Sequence, residues 1–358
     1  MAYSVHMTAR TFLAITGNSL ARASNVNEAW RVEHLLGDQS LLCLAADPLN
    51  PNVAYAGTRG NGVLKSKDGG HTWESAGLAG RVVKSLAVSR AQPGTVYAGL
   101  KPPALFVSHD GGNNWREIEP FQKVRSWWWR SPAESDLGAY IQGIALSPTD
   151  SSVIVVGIEA GAVVRTADGG QTWEGHRPGA LRDCHTITFH ATNSDWVYEA
   201  GGTGVGAAFS RDAGKTWRQP GAGLDRHYGW AVAADPAHPE VWYVSASPMF
   251  ARSQFFVPAA HVDGEANAYI FRSAGGAAWQ KLALPHGGAS RSAVEGLGGG
   301  LPQPLSYMAY ALITDPHAPG HLYAGLSNGD VWRSTDHGDS WMQLPFNLKG
   351  IHRTLIIL

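Results

Sequence analysis

Seven short apolar runs recur along the chain, and aligning them reveals columns of residues that could do chemistry. The position just ahead of the small residue in each run reads Leu42, Lys84, Gln142, His185, Trp230, Tyr310 and Arg353. Two residues earlier the column reads Ser40, Val82, Tyr140, Asp183, Tyr228, Met308 and Ile351. Because side chains two apart in an extended strand share a side, the two columns are expected to face one common space.

The mixture of side chains in these columns favours a binding site for a polar ligand. Lys84 and Arg353 would hold an anionic or hydroxyl-rich part of the ligand. Gln142 and His185 would donate and accept hydrogen bonds. Flat rings would stack against the ligand, and they are supplied by Tyr140, Tyr228, Trp230 and Tyr310.

Asp183 and His185 are also the candidates for acid–base catalysis. Glycoside hydrolysis needs two carboxyl groups flanking the scissile bond, one of them with a raised pKa. Asp183 is the only acid in the two columns, and a second would come from a nearby loop, where the candidates are Asp136, Asp263, Glu265 and Glu295. Cys184 adjoins His185, but neighbouring strand residues point to opposite faces, so Cys184 is expected in the core.

The elements that position these columns are indicated by an octapeptide that returns along the chain. It reads SKDGGHTW at 66–73, and near-copies end at Trp115, Trp173, Trp217 and Trp341, with a degenerate SAGGAAW ending at Trp279. The spacings of 115 − 73 = 42 and 217 − 173 = 44 residues are typical of one four-stranded propeller blade. Pro and Gly punctuate short apolar runs without helical periodicity, which predicts four strands, a to d, in each unit.

The chain, 1–358, is therefore predicted to be one all-β domain, a seven-bladed β-propeller. Six blades would span 38–80, 81–122, 137–180, 181–224, 227–285 and 305–346. The seventh would combine strands b to d from 11–36 with strand a from 351–358. A blade that takes strands from both ends of the chain closes the ring and removes open sheet edges.

The octapeptide pattern Ser/Thr-x-Asp-x-Gly-x-x-Trp resembles the Asp-box, or BNR repeat, over nearly the whole chain. That family includes sialidases, xyloglucan-degrading glycoside hydrolases, sortilin-type receptors and a photosystem II assembly factor, so the resemblance implies a fold more than an activity. The Arg-Ile-Pro motif of sialidases is absent here. Each box is expected to be a structural hairpin between strands c and d whose carboxylate accepts backbone hydrogen bonds. These carboxylates are Asp68, Asp110, Asp168, Asp212 and Asp336.

Three insertions lengthen the repeating unit at 123–136, 249–268 and 286–304. All three are expected on the face opposite the octapeptide hairpins, and loops on a rigid scaffold commonly carry recognition. The first insertion contains three consecutive tryptophans, and Arg125 and Trp128 within it are predicted as further ligand-binding residues. Alternatively, the three indole rings cover the channel as an apolar lid.

Composition excludes several classes of function. A formal net charge of −1 and a pI near 7 offer no electrostatic footprint for nucleic acid. No run of 18 apolar residues and no signal peptide are visible, so a membrane is not an expected partner and the expected location is the cytoplasm. The histidines lack H-x-H or HExxH spacing, and neither a metal nor a cofactor is predicted.

The leading prediction is that the channel mouth binds a small polar ligand, either carbohydrate-like or carboxylate-bearing. One alternative is a glycoside-hydrolase-like enzyme, different from a standard sialidase, that uses the same pocket. A second alternative is a protein-docking or assembly scaffold, whose partner would be another protein.

Overall fold

The computed structural model describes residues 10–358 apart from 18, 27–28, 203, 220, 276–277 and 283–300. These described residues form seven antiparallel sheets of three or four strands. Seven such sheets make a seven-bladed β-propeller, the predicted fold. Within the described part of the chain, no helix is long and apolar enough to cross a membrane.

The strands follow one another around the ring in chain order. The chain starts with β1 (Thr11–Thr16), β2 (Ser19–Val26) and β3 (Ala29–Leu35). Blade 1 contains β4 (Leu41–Asp47), β5 (Asn50–Thr58), β6 (Val63–Ser66) and β7 (Glu74–Ser75). Blade 2 contains β8 (Val82–Val88), β9 (Val96–Lys101), β10 (Leu105–Ser108) and β11 (Arg116–Glu117). Blade 3 contains β12 (Ile141–Leu146), β13 (Ile154–Ile158) and β14 (Val163–Thr166).

The second half of the ring repeats this order. Blade 4 contains β15 (Cys184–Phe189), β16 (Val197–Gly201) and β17 (Ala207–Ser210). Blade 5 contains β18 (Tyr228–Ala234), β19 (Val241–Ser247), β20 (Tyr269–Ala274) and β21 (Gln280–Lys281). Blade 6 contains β22 (Ala309–Thr314), β23 (Leu322–Leu326), β24 (Asp330–Ser334) and β25 (Met342–Asn347). The last strand is β26 (Leu355–Ile357), and the described residues also form 3₁₀ helices at Glu119–Val124 and Ala259–His261.

The two ends of the chain share one sheet, which is blade 7. Strand β26 pairs with β1 in antiparallel register, with Leu355 opposite Ala14 and Ile357 opposite Phe12, and β2 and β3 complete the sheet. The buried side chain of Leu355 packs in a cluster with Phe12 and Tyr323 of blade 6. An apolar C-terminal segment thus joins blades 6 and 7 on the inside of the ring.

The core lies between neighbouring blades and depends on small residues in the second strand of each blade. A Cβ atom added to Gly157 would collide with Sγ of Cys184 in the next blade, and one added to Gly99 would collide with Ile141. Glycine at these positions lets adjacent inner strands approach closely. Both cysteines, Cys43 and Cys184, are free and buried, and Cys184 belongs to an apolar cluster as predicted.

The octapeptides form tight hairpins whose aspartates are fully engaged in local hydrogen bonds. Asp168 Oδ1 accepts from the backbone N–H of Thr172 at 2.9 Å and from Oγ1 of Thr166 at 2.7 Å. These bonds, those from Thr172 above all, lower the pKa of Asp168 to about 2. The same hydroxyl-to-carboxylate bond recurs in the other four copies, at Asp68, Asp110, Asp212 and Asp336. These five carboxylates therefore stabilise their own hairpins, and each lies in a different blade.

Candidate functional site

The channel at the centre of the ring contains a cavity of about 230 Å³ lined by all seven inner strands. Every member of the first aligned column lines it: Leu42, Lys84, Gln142, His185, Trp230, Tyr310 and Arg353. The structure thus brings together residues that are up to 311 positions apart in the sequence (353 − 42 = 311).

A β-bulge directs these side chains into the channel. In blades 1 to 6 the pairing of the inner strand slips at the first-column residue, for example between Val83 and Ser85 and between Cys184 and Thr186. A bulged residue leaves the ladder and its side chain can be aimed independently of the strand's alternation. In blade 7 the equivalent residue, Arg353, has a positive φ of 74° and precedes β26.

The second aligned column contributes only part of its members. Asp183 and Tyr228 lie beside His185, and the ring of Tyr140 lies 3.9 Å from Nζ of Lys84. Met308 and Ile351 are instead buried in apolar clusters between blades. Apart from Ser40 of blade 1, the polar members of this column therefore lie in blades 3 to 5.

Glu159, which the aligned columns did not include, completes an acidic group with Asp183 and His185. One donor atom from each of these three side chains lies within 4.8 Å of the other two. Glu159 begins the turn after β13, and its backbone N–H donates to the carbonyl oxygen of Tyr140 at 3.1 Å. That bond ties the turn to the start of the inner strand.

An alignment of the repeats at this position could have identified Glu159 from the sequence, because the equivalent residues of other blades make the same backbone bond. Arg59 donates to Ser40, Gly202 to Asp183 and Ser327 to Met308 in the same manner. The first residue of the turn after the second strand therefore adjoins the second aligned column in several blades. Aligning the end of the second strand with the start of that turn gives a third column, which reads Arg59, Lys101, Glu159, Gly202, Ser247 and Ser327.

Burial alters the protonation of the acidic group. Burial, reinforced by the charge of Asp183, raises the pKa of Glu159 to about 8, so this carboxyl group is largely protonated at neutral pH. Burial lowers the pKa of His185, although Asp183 opposes that shift. The Nδ1 atom of His185 lies 2.7 Å from the carbonyl oxygen of Gly229. A carbonyl can only accept, so Nδ1 carries the proton and Nε2 presents its lone pair toward Asp183.

Arg353 brings a positive charge to the same space. Its guanidinium carbon lies 5.8 Å from the ring centre of Trp230, and its side chain is accessible from the channel. Among the described residues, no carboxylate forms a salt bridge with Arg353. Enclosure by the channel acts to lower the pKa of Arg353, but Tyr140 and Glu159 outweigh it and the net shift is upward.

Lys84, by contrast, already has an anionic partner. Its Nζ atom lies 2.7 Å from Oε1 of Glu134, whose Oε2 lies 2.7 Å from Nζ of Lys101. Lys101 in turn contacts Asp136 at 2.7 Å. Burial lowers the pKa of Lys84, against the effect of Glu134. Lys84 thus serves an internal ion-pair network, which differs from its predicted role of holding a ligand directly.

Aromatic side chains wall the channel on the side of blades 5 and 6. The ring of Trp230 lies 4.3 Å from that of His185 and 4.9 Å from that of Tyr310. His261, from the insertion at 249–268, joins the wall: its Nδ1 donates to the hydroxyl of Tyr310 at 2.8 Å, and its Nε2 accepts from the hydroxyl of Tyr228 at 3.1 Å.

These roles at His261 follow from the remaining bond of Tyr310, whose hydroxyl donates to the carbonyl oxygen of Ala260 at 2.6 Å. Burial, together with the charges of His185 and Arg353, lowers the pKa of His261 to about 4. His261 is therefore neutral above pH 5 and acts as a fixed part of the wall.

A polar atom beside the channel lacks a partner among the described residues. It is the buried Oε1 of Gln142, whereas the hydroxyl of the fully buried Tyr140 lies beside Arg353 and Ser131. The amide nitrogen of Gln142 donates to the carbonyl oxygen of His185 at 3.0 Å. Unpaired polar groups in a concave site are available to a bound polar molecule.

The tryptophan-rich insertion lies away from this group of residues. Arg125 and Trp127 line a separate cavity of about 490 Å³ with Lys101, while Trp128 lies beneath the guanidinium of Arg182. Trp127 is 88% exposed and Trp129 is buried. Neither Arg125 nor Trp128 lines the channel cavity, and the three rings do not form a closed lid over it.

The other acids proposed as partners of Asp183 are also occupied elsewhere. Asp136 pairs with Lys101, Asp263 accepts from Ser327 at 2.6 Å, and Glu265 accepts from Ser253. Glu295 lies outside the described residues, as does most of the insertion 286–304. Within the described part of the chain, Glu159 is the acid that lies beside Asp183.

Comparison with known proteins relates this chain to others through its fold. No protein-family model and no curated protein matches it. Among solved structures, a GH74 xyloglucanase from Xanthomonas campestris superposes with a TM-score of 0.61 and 17% identity, covering 85% of this chain and 45% of that one. The GH74 enzyme of Niastella koreensis gives 0.62 and 18%, covering 95% and 54%. This chain thus spans about half the length of these two.

YCF48 from Cyanidioschyzon merolae is similar over most of both chains. Its TM-score is 0.55 at 13% identity, with 96% of this chain and 90% of that chain covered. Another structure shows YCF48 bound to D1 peptide, with a TM-score of 0.53 and 16% identity. The likeness is one of fold. Propellers with such different partners share the scaffold, so activity must be inferred from the site.

Proposed function

We propose that the channel mouth binds a small polar ligand that carries a carboxylate, such as an acidic sugar. The observation that supports this most strongly is Arg353, a cation in the channel that forms no salt bridge with any described residue. A guanidinium can hold a carboxylate through two parallel hydrogen bonds. Its position above Trp230 adds a flat surface beside the charge.

The surrounding side chains would complete recognition of a hydroxyl-rich molecule. Oε1 of Gln142 has no other partner in the described structure and would accept from a ligand hydroxyl group. The hydroxyl of Tyr140, beside Arg353, would offer a further bond. The face of Trp230 would stack against the apolar side of a sugar ring. A cavity of about 230 Å³ accommodates one small ring better than an extended chain.

The test compares acidic sugars with their neutral parents. Thermal stabilisation and calorimetric binding would be measured with glucuronate, galacturonate, glucose and galactose. The acidic compounds are expected to stabilise the wild type, and Arg353→Ala should lose that stabilisation. Arg125→Ala, which removes a cation from the separate cavity, serves as the control and should behave as wild type. No stabilisation of the wild type by any compound, or full stabilisation of Arg353→Ala, would contradict the proposal.

A second candidate is a glycoside hydrolase that acts at the same place. It is favoured by the pairing of a protonated Glu159 with Asp183, because hydrolysis needs one carboxylic acid and one carboxylate. Glu159 would protonate the leaving oxygen, and Asp183 would attack the anomeric carbon before water releases the sugar. The close approach of the two groups lies nearer to the separation of about 5–5.5 Å in retaining enzymes than to the wider inverting spacing.

Hydrolysis of 4-nitrophenyl glucuronide and glucoside tests this candidate. Release of nitrophenol by the wild type should fall about 10²–10⁴-fold in Glu159→Gln and in Asp183→Asn. Asp263→Asn changes an acid of the neighbouring loop and should retain activity. Absence of turnover by the wild type on both substrates would count against hydrolysis while leaving the binding proposal standing.

A further inference from the structure

We propose that Glu159, Asp183 and His185 form a binding site for one divalent transition-metal ion. Their donor atoms, two carboxylate oxygens and one imidazole nitrogen, lie within 4.8 Å of one another. Three ligands at this separation can converge on one ion after small side-chain rotations. This site goes beyond the proposed ligand binding, because its three metal ligands are not among the side chains assigned to the acidic sugar.

His185 is already arranged as a metal ligand. Its Nδ1–H donates to the carbonyl oxygen of Gly229 at 2.7 Å, which leaves the lone pair of Nε2 on the side of Asp183. A hydrogen bond from the second ring nitrogen to a backbone carbonyl is the usual way in which proteins orient a metal-binding histidine. The Nε2 atom lies 3.7 Å from Oδ2 of Asp183, too far for a hydrogen bond. An ion between these two atoms would explain their separation.

Of the three ligands, Glu159 is the one whose ionised side chain most needs a compensating cation. Only 6% of its surface is exposed, and among the described residues its carboxyl group takes part in no hydrogen bond or salt bridge. A buried carboxyl group without a partner is costly unless a cation compensates it. Asp183 is held against the turn of blade 4, where its carbonyl oxygen accepts from the backbone N–H of Gly202 at 3.0 Å.

Tyr140 supplies an observation from outside the three ligands. Its side chain is fully buried, and the polar groups beside its hydroxyl are those of Arg353 and Ser131. The carbonyl oxygen of Tyr140 accepts from the backbone N–H of Glu159 at 3.1 Å, which places the two residues side by side. A hydroxyl in that position can bond to a water on the metal, and the unpaired Oε1 of Gln142 offers a further acceptor next to His185.

The local charge decides what the ion would attract. Lys84 is neutralised by Glu134 at 2.7 Å, so Arg353 is the remaining channel cation that opposes an ion here. Once Glu159 gives up its proton to bind the ion, the two carboxylates carry a charge of −2, which a divalent ion balances before Arg353 is counted. Imidazole together with carboxylates suits Zn²⁺ and Mn²⁺ better than Mg²⁺ or Ca²⁺, which prefer oxygen ligands alone.

Metal binding would be measured on the full chain after chelator treatment and dialysis. Calorimetric titration with ZnCl₂ and MnCl₂ is expected to give one ion per chain at this site, with at least tenfold weaker binding of MgCl₂. Glu159→Gln and Asp183→Asn keep side-chain volume and should each weaken Zn²⁺ binding at least tenfold. His352→Gln and Asp263→Asn remove comparable donors elsewhere on the same face and should change it less than twofold.

Two further measurements separate this site from surface histidines and from the proposed ligand site. Co²⁺ should produce visible absorption bands of a low-coordinate site in the wild type, and these bands should disappear in Glu159→Gln. Arg353→Ala should bind Zn²⁺ at least as tightly as the wild type, since it removes a nearby positive charge, even though it loses acidic sugars. The proposal is overturned if no ion binds stoichiometrically, or if both carboxyl variants retain wild-type affinity with folding verified by circular dichroism.

Discussion

The Nε2 atom of His185 lies 3.7 Å from Oδ2 of Asp183 on the adjoining turn. The residue between them, Cys184, points the opposite way into the core. Side chains alternate in direction at the start of this strand, and the bulge at His185 turns the imidazole toward the channel. The imidazole and the carboxylate therefore lie side by side, with the Cys184 side chain directed away from both. Glu159, from blade 3, then closes the group from the neighbouring sheet.

Glu199 is expected to make stability depend on pH. It is buried in β16, its Oε2 accepts from the backbone N–H of Leu181 at 2.9 Å, and burial raises its pKa to about 8. The folded protein therefore keeps a proton that the unfolded chain releases above its ordinary pKa of 4.5. The contribution of Glu199 to the free energy of unfolding is full below pH 4.5 and is lost as the pH rises toward 8.

Glu199→Gln should reduce this dependence, because the amide carries no ionisable proton. Guanidinium unfolding at pH 5, 6, 7 and 8 would measure it, and Glu159, whose pKa is raised in the same direction, leaves a smaller residual slope. Glu119→Gln changes an exposed acid and should follow the wild-type curve. An unchanged slope in Glu199→Gln would show that the buried carboxyl group is not protonated in the folded protein.

Glu134 is expected to stabilise the loop 123–136 through two lysines. Glu134→Gln leaves the buried Lys84 ammonium without its carboxylate, and removing one partner of a buried pair costs about 3–5 kcal/mol. Asp136→Asn removes only the exposed end of the same network and should cost under about 1 kcal/mol. Denaturant unfolding at pH 7 compares the two, and equal losses would mean that Lys84 is not held by Glu134.

Leu355 tests the contribution of the shared seventh blade. The side chain is 2% exposed in the cluster between blades 6 and 7, so Leu355→Ala should lower the free energy of unfolding by about 2–5 kcal/mol. Leu137→Ala truncates an exposed leucine of the loop 123–136 and should cost far less. If both variants unfold at the same denaturant concentration, β26 does not contribute to the global stability of the ring.

Asp168 tests whether an octapeptide carboxylate is structural. Asp168→Ala removes the acceptor of bonds from Thr166 and Thr172 and should lower the melting temperature by roughly 2–5 °C. Ligand or metal binding in the channel should not change. Asp38→Ala, an exposed acid bonded only to Gln39 at 3.1 Å, is the control. If Asp168→Ala lost ligand or metal binding while its melting temperature stayed unchanged, the carboxylate would have a role in the channel site instead.

Local chemistry determined much of this protein from its sequence. The octapeptide predicts its own hairpin, because the hydroxyl, the carboxylate and the glycines that satisfy the turn are all within eight residues. Its spacing then gives the length of one blade, and aligning the inner strands predicted that the first aligned column would line one channel. Because these patterns repeat along the chain, they can be recognised from the sequence alone.

Tertiary structure alone decided which of those residues can meet a ligand. Lys84 stands in the predicted column, yet Glu134, fifty residues later, neutralises it, because the loop 123–136 folds back over blade 2. Arg125 and Trp128 have suitable side chains but lie outside the channel. Glu159 reaches Asp183 only because blades 3 and 4 pack against each other around the channel. Aligning the repeats can show which positions face the channel, but contacts between blades depend on how distant segments pack, and that packing decides which side chains meet.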